Sequence, residues 1–272
     1  MATNYHHGVT VTETTDLSTM ITDIDSAVIG VVCTADDADE TAFPLDTPVL
    51  ITRVANMLGK AGKTGTLFTT LKAISDQTSP QTIVIRVADA SKIVPPEGGT
   101  APTQDQLVIG GTDANGRFTG MYALLSAEMR VGVRPRVLAV PGLDTEAVAA
   151  QLGVIAEKLR AFAYVAANGC NTIAEAKTYR KQFVQREMMV IWPNFICYAT
   201  TAGANATVPV GAHAVGMRAK IDATQGWHKT ISNVPVNNVL GIDRDIYFTL
   251  QGTDTDADEL NAAGVTTLIK QD

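Results

Sequence analysis

Charge is scarce in this 272-residue chain. Charged residues make up 18% of it, against roughly a quarter in an ordinary soluble domain. Part of the surface is therefore expected to be covered by partners. The charge that is present leans acidic, with 28 Asp and Glu against 21 Lys and Arg and a net of -7. That balance lacks the broad basic face with which a general nucleic-acid binder displaces counterions. Cysteine is scarce as well. Cys33, Cys170 and Cys197 are odd in number and widely spaced, a pattern that is neither a disulfide framework nor a zinc set. They read as buried free thiols in a reducing compartment. No apolar stretch follows a basic one at the start, as a signal peptide requires. No apolar run approaches the roughly 18 residues of a membrane span. The expectation is a protein made in a cytoplasm, or carried by something assembled there, with no membrane insertion and no nucleic-acid partner.

Apolar residues are plentiful at 46%, enough for a sizeable core in one large domain or two ordinary ones. Ala27–Cys33 and Thr82–Val87 are continuous β-branched runs that suit strands buried on both faces. Pro48–Ile51 reads as a short strand, and 34–46 as an acidic loop. Leu67, Leu71 and Ile74 fall at helical spacing within 66–77. The stretch 91–106 holds Pro95, Pro96, Gly98, Gly99 and Pro102 and reads as a loop or linker. Asn115-Gly116 marks a tight turn, and 119–129 a helix. From Pro135 the pattern becomes regular. Strands at 136–140, 162–166 and 188–193 alternate with helices at 145–159 and 172–183. Either Asp144 or Thr145 can cap the first helix and either Asn171 or Thr172 the second. Further helices are expected at 208–222 and 254–261, and a last strand at 264–270. Strand, helix, strand with short connections predicts an α/β fold, a mostly parallel sheet flanked by helices.

The first residues stand apart. Gly8, Val9, Thr10, Val11 and Thr12 alternate like a strand, but no hairpin turn follows to supply a neighbour, and 14–25 is polar. A strand with no local partner either folds back onto its own sheet or pairs with another molecule.

Three segments approach chemical motifs and miss. Gly62-Lys63-Thr64 resembles the end of a phosphate-binding loop, but Met57 stands where the first glycine belongs. Gly59, Gly62 and Gly65 read as a flexible turn. Asp254, Asp256 and Asp258 alternate like a calcium loop, yet Glu259 and Val265 replace the required glycine and the bidentate glutamate. They read as the acidic start of a helix. His6, His7, His213 and His228 lack the spacing of metal ligands. No nucleophile elbow and no dinucleotide fingerprint occurs, so no catalytic, cofactor or metal residue is assigned.

Six segments, taken in order, resemble contractile tail sheath proteins. They are His7–Glu13, Pro48–Thr52, Arg134–Gly142, Lys158–Ala163, Gly226–Asn233 and Gly264–Ile269. The similarity is to sheaths of temperate myoviruses of enteric bacteria and their prophages, and also to phage-tail-like bacteriocins. It implies an extended N-terminal arm and linker at 1–25, an α/β sheath body at 26–90 and 135–272, and a loop-rich insertion at 91–134. Family proteins of this type continue past the last strand, so a C-terminal part of the family fold is expected to be missing here. The resemblance implies a structural, non-enzymatic subunit without cofactors that stacks as hexameric rings around a tail tube. Contraction of such a sheath drives the tube through the host envelope. Its implied partners are further copies of itself, the tail tube protein, and baseplate and tail terminator proteins. Its implied place is the virion tail, assembled in the bacterial host cytoplasm. Gly8, Val9, Thr10, Val11 and Thr12 become the intersubunit arm, and Thr14, Thr15 and Asp16 its hinge. The rival readings are an α/β enzyme with its site where strands end, near Pro141-Gly142 and Asn168-Gly169, and a monomeric binding module.

Overall fold

A seven-stranded sheet organises the computed structural model, which describes residues 27–95, 99–199 and 202–270. The first half supplies β1 (Ile29–Thr34), β2 (Val49–Ile51), α1 (Val54–Met57), α2 (Leu67–Gln77) and β3 (Thr82–Val87). The middle supplies α3 (Gln104–Ile109), β4 (Gly111–Thr112), β5 (Phe118–Thr119) and α4 (Ala127–Val131). Then come β6 (Val137–Ala139), α5 (Glu146–Leu159), β7 (Phe162–Ala166), α6 (Ile173–Arg180) and β8 (Met188–Trp192). The rest supplies β9 (Phe195–Ala199), β10 (Ala204–Val208), α7 (Val210–Thr224), β11 (Gly241–Ile242), α8 (Asp256–Ala262) and β12 (Val265–Thr267).

The strands lie in the order β12-β8-β7-β6-β1-β3-β2. All neighbours are parallel except β2, which runs antiparallel along β3. β1 and β3 are buried at every position, as expected for strands covered on both faces. In β7 the faces separate. Ala163 and Val165 enter one core, with α5 and α6, while Tyr164 and Ala166 enter the other, with α2 and α7. Each large aliphatic side chain fully buried in these layers contributes about 1.5–3 kcal/mol.

The helices start where their caps direct. Thr145, not Asp144, caps α5 by accepting from the Val148 amide. Thr172, not Asn171, caps α6 in a reciprocal box with Glu175. Asp144 turns inward instead and accepts from the Ala166 amide at 2.6 Å. Pro209 caps α7, which therefore starts two residues later than its expected 208.

Three departures from expectation have local causes. The Pro- and Gly-rich stretch ends sooner than its composition indicates, because Thr103 and Gln106 form a capping box that starts α3. Residues 120–126 wind as a 3-10 segment before α4, and Met121, Ala123 and Leu124 from it are buried in the core. Residues 195–208 form an antiparallel hairpin, β9 with β10, and β11 lies on the other side of β9. The Asn115-Gly116 turn joins β4 to β5, with Gly116 at φ 76°.

Candidate functional site

Of the two strand ends where an α/β enzyme would place its substrate, the one at Gly142 is closely packed by the chain itself, whereas a Cβ added at Gly169 would meet nothing within 4 Å. Gly142 sits so close to Pro209 and Thr66 that an added Cβ would lie 3.1 Å and 3.4 Å from their side chains. Thr145 donates to the Asp105 carboxylate across the same end of the sheet. Asp144 is 1% exposed, and the Tyr179 hydroxyl donates to its carbonyl at 2.8 Å. Burial pushes the Asp144 carboxyl up to about 7, against the opposing hydrogen bond from Ala166.

The segment that resembles a phosphate loop holds an internal anion. The Lys63 and Thr64 amides donate to the two Asp37 oxygens at 2.7 Å and 3.0 Å, and the Thr64 hydroxyl donates to the same carboxylate. Those bonds, led by the hydroxyl, hold Asp37 down at about 2. Gly62 makes the turn possible: its φ is 74°, and a Cβ there would lie 2.2 Å from the Asp37 carboxylate. Asp256 and Asp258 serve α8, accepting from the Tyr247 amide and from Thr255.

His213 and Cys197 meet in the interior, Nε2 3.8 Å from Sγ, with the Phe195 ring edge-on to the imidazole. Burial drives the imidazole down to about 4 and the thiol upward. Both are neutral near pH 7, the reverse of the thiolate–imidazolium pair that a cysteine nucleophile requires. Among the described residues no group of three or more His, Cys, Asp or Glu could hold a metal, and no helix is long and apolar enough to cross a membrane.

Surfaces, rather than clustered reactive groups, distinguish the molecule. A groove of about 1860 Å³ runs over β7, β8 and β12, with α7 as one wall and residues 227–242 as the other. Arg218 of α7 secures that second wall. Its guanidinium pairs with Asp222 and donates to the Lys229 and Gly226 carbonyls. The i,i+4 spacing of Arg218 and Asp222 was the sequence signal for this anchor. Trp227 at 78% exposed and Leu250 at 85% stand on the rim. Among the described residues β12 ends one side of the large sheet and β10 one side of the small one. The expected arm, Gly8, Val9, Thr10, Val11 and Thr12, and the hinge, Thr14, Thr15 and Asp16, lie outside the described residues.

Comparison with known proteins matches two family models. Residues 116–272 match the phage tail sheath protein central domain, and residues 26–87 the tail sheath protein Gp18 domain III N-terminal region. The chain is 61% identical over 272 residues to the major tail sheath protein of Serratia phage KSP20, covering 100% of this chain and 68% of that relative. It is 51% identical over 269 residues to the tail sheath protein of Escherichia phage P2, covering 99% of this chain and 67% of that one. Among solved structures, the contracted helical sheath of the anti-feeding prophage matches with a TM-score of 0.61 at 17% identity, covering 97% of this chain and 64% of that chain. The contracted sheath complex of the PVC extracellular contractile injection system matches with a TM-score of 0.57 at 14% identity, covering 92% and 59%. At such identities these structures share the fold. The chain spans about two thirds of the length of these curated relatives and 59% to 64% of these solved chains.

Proposed function

From a chain that belongs to the phage tail sheath protein family, we propose a structural subunit of a contractile tail sheath, not an enzyme. It polymerises with copies of itself as stacked six-membered rings around a tail tube. Contraction of those rings drives the tube through the host envelope. Baseplate and tail terminator proteins bound the polymer, and the assembly forms in the bacterial cytoplasm before it becomes part of the virion tail.

The single observation that carries this reading is the 61% identity to a tail sheath protein along all 272 residues.

In this reading Gly8 to Thr12 add as a strand to a sheet edge on a neighbouring copy. Main-chain hydrogen bonds supply the affinity, and alternate side chains fill pockets on one face. Thr14, Thr15 and Asp16 are the hinge that lets bodies shift while arms stay joined. Contacts between bodies then drive the one-way shortening.

Deleting residues 1 to 13 tests the arm. The truncated chain is expected to keep the circular dichroism of its α/β body and to lose polymers under negative-stain electron microscopy. Tubes of normal appearance from the truncated chain would overturn the arm assignment. A parent chain that stays monomeric when coexpressed with a tail tube protein would overturn the sheath reading.

A further inference from the structure

The chain contains two Asn-Gly pairs, Asn115-Gly116 and Asn168-Gly169, and each follows an alanine. In such a pair the glycine has no Cβ to shield its nitrogen from the neighbouring carboxamide. Both pairs lie in exposed turns. At each glycine an added Cβ would meet nothing within 4 Å, so water reaches both. Sequence and exposure do not separate the two pairs. Hydrogen bonding does.

Asn115-Gly116 sits in a closed turn. The Gly116 amide donates to the Asp113 carbonyl at 3.0 Å, and the Asp113 amide donates to the Arg117 carbonyl at 2.8 Å. The Asp113 carboxylate accepts from the Asn115 and Arg117 amides, both at 2.8 Å. The reactive nitrogen is engaged and the backbone on either side of it is fixed. Asn168-Gly169 joins β7 to α6 in a looser turn, closed by the Cys170 amide donating to the Ala167 carbonyl at 3.3 Å. Asn168 enters hydrogen bonds only through its main chain, and among the described residues the Gly169 amide has no acceptor. An engaged amide reacts only after its bond opens, and one ordinary hydrogen bond slows such a reaction by roughly two- to tenfold.

We propose that Asn168 is a self-modifying site, converted to aspartate and isoaspartate through a succinimide formed with the Gly169 nitrogen, and that the turn around Asp113 protects Asn115 from the same reaction. Hydroxide removes the Gly169 amide proton. The nitrogen bonds to Asn168 Cγ, the Cγ–Nδ2 bond breaks, and ammonia leaves with a proton from water. Water then adds to one of the two carbonyls of the cyclic succinimide. Breaking the bond from nitrogen to Cγ leaves aspartate, and breaking the bond from nitrogen to the main-chain carbon leaves isoaspartate. The nitrogen regains its proton either way. The sum is amide and water giving acid and ammonia, with no oxidation or reduction. Aspartate keeps the length of the chain. Isoaspartate adds a methylene to the main chain just before Cys170, whose carbonyl accepts from Trp192 Nε1 at 3.1 Å. It also precedes Asn171 and Thr172, whose amides hold Glu175 at the start of α6. The extra length loosens those contacts. The inference rests on main-chain chemistry and holds whether or not the chain assembles.

The purified chain tests it, incubated in mildly alkaline buffer made with heavy-oxygen water. Peptide mass spectrometry is expected to find the mass gain of amide to acid, with heavy oxygen incorporated, at Asn168 at a rate roughly two- to tenfold above that at Asn115. Protein isoaspartate methyltransferase should label residue 168. In guanidinium the two pairs should react at similar rates, because the turns no longer exist. Asp113→Ala should speed the reaction at Asn115 in the folded chain and leave Asn168 unchanged. The isoaspartate fraction, separated by ion exchange, should unfold at a lower temperature than the parent. An Asn168 rate at or below that of Asn115 in the folded chain would overturn the proposal. So would a difference that persists unchanged in guanidinium, or an Asn115 rate indifferent to Asp113→Ala.

Discussion

Asp144 and His213 are buried titratable groups whose effects on stability run in opposite directions. The unfolded Asp144 carboxyl titrates near 3.8 and the folded one near 7. Between those values the native state holds a proton that the unfolded chain has lost, so stability falls as pH rises. His213 titrates near 6.5 unfolded and near 4 folded. Between those values the unfolded chain binds the extra proton, so stability rises with pH. The two slopes largely cancel in the parent between about pH 4 and 6.5. Asp144→Asn is expected to expose the histidine slope and to be more stable than the parent at pH 8 by about 1–3 kcal/mol. His213→Phe should expose the opposite slope. Urea unfolding at a series of pH values reads both, and an Asp144→Asn curve parallel to the parent throughout would refute the assignment. Arg86 shows a different kind of buried charge. It is 4% exposed and donates to the Phe43 and Ala35 carbonyls, so a strand residue satisfies the loop that the sequence marked only as acidic.

Helix α7 shows why some elements are read easily from sequence and others are not. It is buried on nearly every side, so no polar stripe marks its limits. It packs tightly on α2 at Gly216, where a Cβ would lie 3.1 Å from the Gln77 Cγ and 3.2 Å from the Ile74 Cα. Gln77 in turn holds Asn237 through two hydrogen bonds. Gly216→Val is therefore expected to cost about 1–3 kcal/mol by overpacking and to speed hydrogen exchange around Asn237. A denaturation midpoint equal to the parent's would show that the helix pair can absorb the methyl groups. Elements with one apolar face or a continuous apolar run were legible: β1, β3, β7 and β8, and α2, α5 and α6, the caps of α5 and α6 being narrowed to two neighbouring residues each. The β9–β10 hairpin was not, because Ala204–Thr207 carries no apolar alternation. Helix α3 was hidden inside a Pro- and Gly-rich stretch, although Thr103 and Gln106 already had capping-box spacing. Of the proposed assembly surfaces, the alternation at Val9 and Val11 was visible in the sequence. The groove was not, because Phe162, Met189, Trp227 and Leu268 are brought together only by strand order.

At the scale of the whole molecule, composition constrains how copies can associate. Each copy carries a net charge of -7 with charge on only 18% of its residues. Among the described residues, six ion pairs have at least one partner with a side chain more than a third exposed to solvent, and two of them, Lys60–Asp39 and Arg134–Glu128, have both. Exposed pairs of this kind contribute about 0–1 kcal/mol each. Like-charged bodies that assemble therefore repel at long range and must be held by apolar burial and main-chain hydrogen bonds. Salt screens the repulsion, with a Debye length of about 8 Å at physiological ionic strength, and leaves apolar burial intact. Raising NaCl from about 0.05 M to about 0.5 M is thus expected to maintain or increase the assembled fraction, measured by sedimentation at constant protein concentration. Sulfate should increase it further, because it strengthens effective apolar burial. A steep loss of assembly with NaCl would mean that ion pairs between copies hold the polymer, contrary to the surface this sequence builds.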